Sequence, residues 1–247
     1  MKRKNKIHDV DFLILVRIDS LNRLENTLMV TEHLSSCFDA DIHVWEYGSS
    51  SNHILERLLP DEVKYTFHED YDVIFHRTKF LNQMVKHTKK PYAAIWDADV
   101  LVPCMQIEQA VDALYQGADL VYPYNSRFYD VSYELRNIYM ETRDLKMLES
   151  NTSFMNVLFG RHPVGGAFLV NVNTYETIGT ENESFYGWGL EDGERYKRFE
   201  SQGKSIVRIN GNIYHLSHPR IESGCIRSHL EDVAKRRLYF ETNGEIL

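Results

Sequence analysis

Two aspartates, Asp97 and Asp99, follow an apolar run from Tyr92 to Trp96. Carboxylates two residues apart at the end of a strand can both reach one hard cation, directly or through water. Such a cation can bridge diphosphate oxygens and stabilise a departing phosphate. A polar turn could hold the same pair by chance, but the position after an apolar strand favours a metal site.

Two histidines, His215 and His218, stand three residues apart further along the chain. Neutral imidazoles are common ligands of manganese-like and zinc-like ions, and this spacing lets both rings face one ion. Because the chain has 11 histidines, a chance pair on the surface is the simpler interpretation when the two are taken alone. Combined with the carboxylates of Asp97 and Asp99, they predict a site of mixed oxygen and nitrogen ligands.

The stretch FYGWGLEDGERYKRF, residues 185–199, places Trp188 between two glycines and next to the acids Glu191 and Asp192. Acids in the first turn of a helix complement its dipole, which would explain the acids but not the tryptophan. In sugar recognition, a ring covers the apolar face of a pyranose while a carboxylate accepts hydroxyl hydrogen bonds or a proton. We expect an irregular sugar-binding loop, then a helix that begins at Glu191 and is closed by Gly203.

The elements that would position these residues alternate between strands and helices in the first half of the chain. Strands are predicted at Phe12–Ile18, Asp41–Tyr47, Val63–His68 and Tyr92–Trp96, and helices at Leu21–Cys37, Leu55–Leu59 and Arg77–Thr88. This order predicts an α/β fold with a doubly wound, mostly parallel sheet flanked by helices. Ligands of such sheets bind beyond the carboxyl ends of the strands, where Arg17, Asp19 and Glu46 also lie.

The second half of the chain is less regular. Strands are predicted at Gly165–Asn171, at Ser205–Ile209 and in the stretch 212–218, and a terminal helix at His229–Phe240. The polar segment Met140–His162 has weak periodicity and is predicted to be a mobile loop that closes over a donor. Because no repeat or linker is evident, a single domain over residues 1–247 is predicted, with a nucleotide-binding half of about 1–103 and an acceptor half of about 104–247.

The composition indicates a globular protein that does not bind nucleic acid. Hydrophobic residues make up 43% of the 247 residues and charged residues 26%. The net charge of −8 argues against general nucleic-acid binding, which needs a positive surface. The basic N-terminus resembles a signal peptide, but the apolar run after it is short and broken by charge. A core strand is therefore the better interpretation, and no transmembrane segment is predicted.

The three cysteines, Cys37, Cys104 and Cys225, match neither a zinc-binding spacing nor a disulfide framework. We expect reduced thiols in a reducing compartment. The predicted location is therefore cytoplasmic, with a peripheral position at the inner face of a membrane as a variant. The oligomeric state is left open.

Four motifs, taken in order, resemble those of the GT-A glycosyltransferases. They are Asp97-Ala98-Asp99, Gly165-Gly166-Ala167-Phe168, Phe185-Tyr-Gly-Trp-Gly-Leu-Glu-Asp192 and His215-x-x-His218. The pattern is most similar to the β-1,4-galactosyltransferase-like branch, which includes bacterial capsule and chondroitin-type transferases. That branch often reads WGGEDDD, whereas this chain has Leu190 in place of a glycine and Gly193 after Asp192. The donor sugar therefore stays open between galactose and an N-acetylhexosamine.

The resemblance implies an inverting, metal-dependent transfer from a UDP-sugar to a saccharide hydroxyl, in the synthesis of a cell-surface polysaccharide. The acceptor could be lipid-linked. By position, Asp99, His215 and His218 would bind Mn²⁺ or another divalent ion, and Asp192 would be the catalytic base. The other implied contacts are Glu191, Trp188, Gly165 and Gly166 for the sugars, and Arg17, Glu46, Arg77 and Asp97 for the nucleotide.

Three other activities are compatible with some of these residues. A sugar nucleotidyltransferase shares the architecture and the metal-binding acids, but it should carry a glycine-rich phosphate loop, and VRIDSLNRLEN has no glycine. A metallophosphatase usually needs more metal ligands early in the chain. A non-enzymatic carbohydrate-binding protein would explain Trp188 but not a nucleotide-type sheet.

Overall fold

The computed structural model describes residues 5–159, 162–219 and 228–243, which form two β-sheets and the helices around them. The strands are β1 (Asn5–Val16), β2 (Phe38–Gly48), β3 (Val63–Glu69), β4 (Tyr92–Asp97), β5 (Val100–Leu101), β6 (Leu120–Tyr122), β7 (Phe128–Val131), β8 (Asn156–Phe159), β9 (Ala167–Asn171), β10 (Ile206–Arg208) and β11 (Ile213–Leu216). The α-helices are α1 (Leu21–Cys37), α2 (Ile54–Leu58), α3 (Arg77–Val85), α4 (Cys104–Tyr115), α5 (Tyr133–Thr142), α6 (Leu145–Ser150), α7 (Val172–Thr177), α8 (Glu191–Ser201) and α9 (His229–Thr242).

The larger sheet has seven strands in the order β10-β6-β9-β4-β1-β2-β3. Only β9 runs antiparallel to its neighbours, β4 and β6. Successive side chains of β1, from Phe12 to Ile14, are all buried, as expected of a strand covered on both faces. The predicted α/β fold with a large, mostly parallel sheet flanked by helices is confirmed.

The helices begin where the sequence supplies caps or turns. Ser20 precedes α1, and its hydroxyl accepts a hydrogen bond from the backbone N–H of Arg23 at 3.2 Å. Helix α8 begins at Glu191 as predicted, and Gly203 follows its end with φ = +64°.

The parallel register pairs Leu15 of β1 with Asp97 of β4, so the carboxyl ends of these two strands lie side by side.

The second, smaller sheet, in the order β5-β11-β7-β8, was not predicted. The prediction of one long loop over Met140–His162 is wrong, because this segment contains α6, a 3-10 helix at Thr152–Phe154 and β8. Strand β8 pairs with β7, whose residues lie about 30 positions earlier in the chain. Such a pairing leaves no periodic signal within the segment itself, since it depends on a distant partner.

The expectation of reduced thiols is wrong for two of the three cysteines. Cys37 at the end of α1 and Cys104 at the start of α4 form a disulfide, with their Cα atoms 5.7 Å apart. They are 67 residues apart in sequence, so only the packing of the two helices brings them together. Cys225 lies outside the described residues. The cysteines therefore no longer support a reducing compartment.

Across the described parts of the chain, no helix is both long and apolar enough to span a lipid bilayer. Both predicted halves of the chain contribute to the larger sheet, because β9 lies between β4 and β6. The division into a nucleotide-binding and an acceptor half stays a prediction.

Candidate active site

A cleft of about 570 Å³ lies at the carboxyl ends of β1 and β4. Residues from both halves of the chain line it, and every predicted site residue except Glu46 is among them. The predicted residues that line the cleft are Arg17, Arg77, Asp97, Asp99, Gly165, Gly166, Trp188, Glu191, Asp192, His215 and His218. This position agrees with the rule that ligands of parallel sheets bind beyond the carboxyl ends of the strands.

Glu46 does not line the cleft, although it was predicted to contact the nucleotide. It lies in β2, is 8% exposed, and accepts a hydrogen bond from the Tyr65 hydroxyl at 2.8 Å. Burial raises the pKa of this carboxyl group, an effect that the hydrogen bond from Tyr65 partly offsets. Its side chain is thus already paired with the neighbouring strand β3.

Asp99, His215 and His218 form a three-residue cluster whose potential ligand atoms all lie within 4.8 Å of one another. Asp99 Oδ2 is 3.0 Å from Nε2 of His218 and 3.9 Å from Nε2 of His215. Burial alone would raise the pKa of Asp99, but the two histidines and Arg23 lower it below its usual value. The cluster therefore holds an ionised carboxylate against two imidazoles.

The two imidazoles are oriented by their other ring nitrogens. Nδ1 of His215 donates to Asp130 Oδ1 at 2.8 Å, and Nδ1 of His218 donates to the carbonyl of Pro219 at 2.9 Å. Each Nε2 consequently faces Asp99. Carboxylate or carbonyl partners on the far nitrogen are the usual way in which proteins orient metal-binding histidines.

One carboxylate oxygen and two imidazole nitrogens suit Mn²⁺, Zn²⁺ and related divalent ions. Arg23 fills the electrostatic place of a cation in this structure: its Nη1 lies 3.2 Å from Asp99 Oδ2 and its Nη2 3.4 Å from His218 Nδ1. A buried carboxylate that lies against one arginine and two imidazoles fits a divalent cation. The donor set of Asp99, His215 and His218 is thus compatible with the predicted metal.

Asp97 is paired differently from Asp99. Arg77 Nη2 donates to Asp97 Oδ1 at 2.6 Å. Burial raises the pKa of Asp97, the charge of Arg77 lowers it, and the nearby Asp99 and Asp192 raise it again, so that the net shift is upward. The first aspartate of the pair therefore contacts a cationic side chain, and only the second lies within the histidine cluster.

Arg17 lines the same cleft from the end of β1. Its guanidinium donates to the carbonyls of Asp72 and Val73 at 2.8 and 3.1 Å and to the carboxylate of Asp70. It also lies 5.3 Å from the centre of the Phe75 ring. Arg17 thereby connects the end of β1 to the loop 70–75, and a cation and an aromatic ring come to lie together at this end of the cleft.

Asp192 lies in the first turn of α8, facing the backbone of Gly165 and Gly166. A β-carbon on Gly165 would come within 2.7 Å of Asp192 Oδ2, and one on Gly166 within 2.9 Å of the Phe128 ring. Gly166 also has φ = +86°, a region that side chains other than glycine rarely adopt. Glycine at position 165 therefore lets the carboxylate approach the main chain, and glycine at position 166 fits both the backbone conformation and the close approach of Phe128.

Among the described residues, the Asp192 carboxylate accepts a side-chain hydrogen bond through one oxygen only. Arg195 Nη2 donates to Oδ1 at 2.7 Å, and Oδ2 is the oxygen that faces Gly165.

The neighbouring Glu191 is 4% exposed, and its Oε2 has no hydrogen-bond partner among the described residues. Burial, followed by the charge of Asp192, raises the pKa of Glu191 to about 7. Two adjacent acids thus have different surroundings.

Trp188 lies at the edge of the cleft in a loop of unusual backbone conformation. Its side chain is 37% exposed, so it is not a core residue. Gly187, Gly189 and Leu190 have φ values of +77°, +113° and +71°. The amino group of Lys235 in α9 donates to the carbonyl of Trp188, and this hydrogen bond connects the loop to α9. A second cavity, of about 430 Å³, adjoins the same tryptophan.

Three residues of the site were missed in the sequence analysis. Arg195 stands three positions after Asp192, a spacing that places both on one face of a helix and could have been noticed. Arg23 follows Asp19 by four positions and pairs with it at 3.1 Å. Asp130 left no signal, because only the parallel pairing of β7 with β11 brings it to His215.

Comparison with known families gives a partial match. Residues 146–219 match the family described as the N-terminal domain of galactosyltransferase. This range includes the two glycines, the Trp188 loop, both acids and both histidines of the cleft. No curated protein matches the chain.

Solved structures similar to this chain cover nearly all of it. Drosophila β1,4-galactosyltransferase 7 in complex with xylobiose has a TM-score of 0.55 at 16% identity, covering 93% of this chain and 80% of that one. Glucosyl-3-phosphoglycerate synthase from Mycobacterium tuberculosis, with Mn²⁺, UDP and phosphoglyceric acid, has a TM-score of 0.54 at 12% identity, covering 96% and 79%. A variant of the Drosophila enzyme with manganese, UDP-Gal and xylobiose has a TM-score of 0.51 at 16% identity, covering 93% and 80%.

The chain has the fold of the GT-A glycosyltransferases. With the family match, this fold supports a glycosyltransferase as the enzyme class. A carbohydrate-binding protein without enzymatic activity is correspondingly disfavoured. At identities of 12–16%, the structural similarity defines the fold, and the chemistry has to be argued from the residues of the cleft.

Proposed function

We propose that this protein is an inverting, metal-dependent glycosyltransferase that moves galactose or an N-acetylhexosamine from a UDP-sugar to a saccharide hydroxyl. We further propose a role in the synthesis of a cell-surface polysaccharide, as in capsule and chondroitin-type transferases, with an acceptor that could be lipid-linked. The observation that carries the proposal is the presence of two different acidic sites in one cleft: the Asp99–histidine cluster and the carboxylate of Asp192.

Asp99, His215 and His218 would hold Mn²⁺ or another divalent ion. When bound, such an ion would stabilise the negative charge of the departing UDP. Asp97 and Arg77, which contact each other beside this cluster, are proposed to bind the ribose and the diphosphate. Arg17 and Phe75 at the end of β1 are proposed to contact the nucleotide. Glu46, which lies outside the cleft lining, is left out of the nucleotide site.

Asp192 is proposed to be the general base. Its Oδ2 is not held by Arg195 and would accept the proton of the acceptor hydroxyl while that oxygen attacks the anomeric carbon. Attack on the face opposite the leaving group inverts the configuration, so an α-linked donor gives a β-linked product. Because Gly165 has no side chain, the Asp192 carboxylate would have room to lie beneath the sugar ring.

Trp188 and Glu191 are proposed to bind the sugars. The exposed ring of Trp188 can cover the apolar face of a pyranose, and it borders both cavities. Glu191 is buried, and one of its oxygens has no hydrogen-bond partner in the part of the chain that the structure describes, so it can accept a hydrogen bond from a sugar hydroxyl. The second cavity, which Trp188 shares with Tyr133 and Phe159, offers space for the acceptor.

The direct test is the release of UDP from a panel of UDP-sugars, with and without Mn²⁺. We expect hydrolysis or transfer with one donor of the panel, only when the ion is present, and its loss in Asp99→Ala. A sugar nucleotidyltransferase would instead form UDP-sugar from UTP and a sugar phosphate. Absence of UDP release from every donor, in the presence of Mn²⁺ and a panel of saccharide acceptors, would contradict the proposal.

A further inference from the structure

Arg195 lies directly behind Asp192 and is fully buried, at 0% exposure. One nitrogen, Nη2, donates both to Asp192 Oδ1 at 2.7 Å and to the carbonyl of Val164 at 2.9 Å. Val164 directly precedes Gly165, the residue whose backbone lies against Asp192 Oδ2. A single guanidinium therefore connects helix α8 to the glycine pair across the cleft floor.

The other side of Arg195 is fixed by a second buried acid, Glu181, which is 2% exposed. Nη1 of Arg195 donates to both oxygens of Glu181 at 3.1 Å. Glu181 also accepts from the Tyr175 hydroxyl at 2.6 Å, and its backbone N–H donates to Asn82 at 2.9 Å. The face of the guanidinium lies 3.6 Å from the centre of the Phe168 ring. Arg195 is thus held through both terminal nitrogens and one face of its guanidinium, while its Nε has no hydrogen-bond partner among the described residues.

We infer that Arg195 is a positioning residue that holds Oδ1 of Asp192 and so directs Oδ2 into the cleft, with Glu181 fixing Arg195 from behind. This inference rests on the proposed function, in which Asp192 is the base. The donors of a guanidinium lie in a rigid plane, so a hydrogen bond from a buried arginine fixes the orientation of the carboxylate that accepts it. Since Oδ1 is occupied by Nη2, the acceptor's proton would go to Oδ2.

Arg198, one helical turn further along α8, offers a matched control. It pairs with Glu194 at 2.9 Å and donates to the carbonyl of Ile178 at 2.8 Å, but no described hydrogen bond or ion pair joins it to Asp192. Replacing it should disturb the packing of the same helix without altering the charge next to the base. The two arginines therefore separate a role in positioning from a role in folding.

The experiment measures kcat, the KM for the donor and the melting temperature at one neutral pH for the wild type, Arg195→Gln and Arg198→Gln. The donor is the UDP-sugar of the panel with the highest rate. In Arg195→Gln we expect kcat to fall about tenfold or more while KM stays nearly unchanged, because a misplaced catalytic group slows the chemical step and not the binding of the donor. Arg198→Gln should change kcat far less, even if it lowers the melting temperature as much.

An unchanged kcat in Arg195→Gln, or an equal loss in Arg198→Gln, would overturn the inference. Arg195→Lys keeps a cationic donor next to Asp192 and should restore part of kcat even if its melting temperature stays low. If Arg195→Gln does not fold, Glu181→Gln decides the matter. It removes the charge that fixes Arg195 but leaves Arg195 and Asp192 in place, so kcat should fall while KM stays nearly unchanged. An unchanged kcat in Glu181→Gln would count against the inference.

Failure of the proposed function would look different. A wild-type protein that turns over no UDP-sugar contradicts the proposed function. The contact itself is then tested by carboxyl ¹³C NMR of Asp192 in the wild type and in Arg195→Gln. A carboxyl resonance of Asp192 that is unchanged in the variant at the same pH would overturn the role of Arg195, whereas a displaced or broadened resonance would support it.

Discussion

The two acidic sites of the cleft are neutralised in different ways. At one end, Asp99 faces His218, His215 and Arg23, whose side chains come from other elements and border the open cleft. At the other end, Asp192 is bound by Arg195, which is fully buried. A cation from solution could take the place of Arg23 beside Asp99 and the two histidines, whereas Arg195 could not move without leaving Glu181 buried and uncompensated. Asp99 is thus arranged to bind a cation that exchanges with solution, whereas Asp192 is arranged next to a cationic side chain that stays in place.

Replacing Asp192 with asparagine should have the largest effect on turnover. The change keeps the shape of the side chain but removes the proton acceptor, so kcat should fall by about 10²–10⁴. Stability should fall by only about 1–2 kcal/mol, from the lost helix-dipole and charged hydrogen-bond contributions. Steady-state kinetics, thermal unfolding and binding of UDP with Mn²⁺ measure the three quantities. Near-normal transfer by Asp192→Asn would move the role of base elsewhere, with Glu191 the next candidate.

Replacing Asp99 with alanine should abolish the effect of the metal on nucleotide binding. In the presence of Mn²⁺, we expect the variant to bind UDP at least about tenfold more weakly than the wild type does. The affinity of the variant for UDP should be the same with Mn²⁺ and with EDTA. Asp130→Asn, which keeps the three ligands but weakens the orientation of His215, should cost about tenfold or less. Isothermal titration calorimetry of the wild type in EDTA completes the set: unchanged affinity there would mean that no metal takes part.

Replacing Glu191 with glutamine should change the pH dependence of stability. Burial raises the pKa of Glu191 from 4.5 to about 7, so the folded protein holds this proton more tightly than the unfolded chain. The contribution of the protonated Glu191 to the free energy of unfolding is therefore complete below about pH 4.5 and is lost as the pH rises towards about 7. Glu191→Gln should remove this loss and stabilise the protein at pH 8 by about 1–3 kcal/mol. Denaturant unfolding at about pH 4.5 and pH 8 measures it, and equal differences at both values would contradict the assignment.

The smallest effect is expected at Leu190, which adopts φ = +71° immediately before α8. Glycine populates this region freely, whereas leucine is strained there by about 1 kcal/mol. Leu190→Gly relieves the strain and Leu190→Ala retains it, while both lose the side chain. The free energy of unfolding of the glycine variant should therefore be about 1 kcal/mol higher than that of the alanine variant, which is the reverse of their usual order in a helix. Equal stability would show that the loop relaxes around Leu190.

Local patterns predicted most elements of the first half correctly. The bounds of α1 were predicted as they are found, and α3 begins at Arg77 as predicted. These elements have strong periodicity or continuous apolar runs that their own residues determine. The second sheet escaped prediction because β5, β7, β8 and β11 have only two to four residues each, too few to show a period.

The candidate site was predicted unevenly for the same reason. Short-range motifs pointed to Asp97, Asp99, Trp188 and Asp192, all of which line the cleft. Glu46 was placed by its position at the end of a strand, but a side chain there can point to either face, and it contacts Tyr65 instead. The orienting partner Asp130 belongs to a three-dimensional contact that no local motif records, whereas the i, i+3 spacing of Asp192 and Arg195 is visible in the sequence.

The amino-acid sequence by itself determined the order of strands and helices, the acids at the end of β4 and the aromatic loop before α8, since each depends on neighbouring residues. Only the tertiary structure decided which of these residues meet. The antiparallel pairing of β5 with β11 sets Asp99 beside His218, and the parallel pairing of β7 with β11 sets Asp130 beside His215. The burial of Arg195 between Asp192 and Glu181 likewise follows from packing. Contacts between residues distant in the chain depend on the closure of the whole fold, and local propensity carries no information about them.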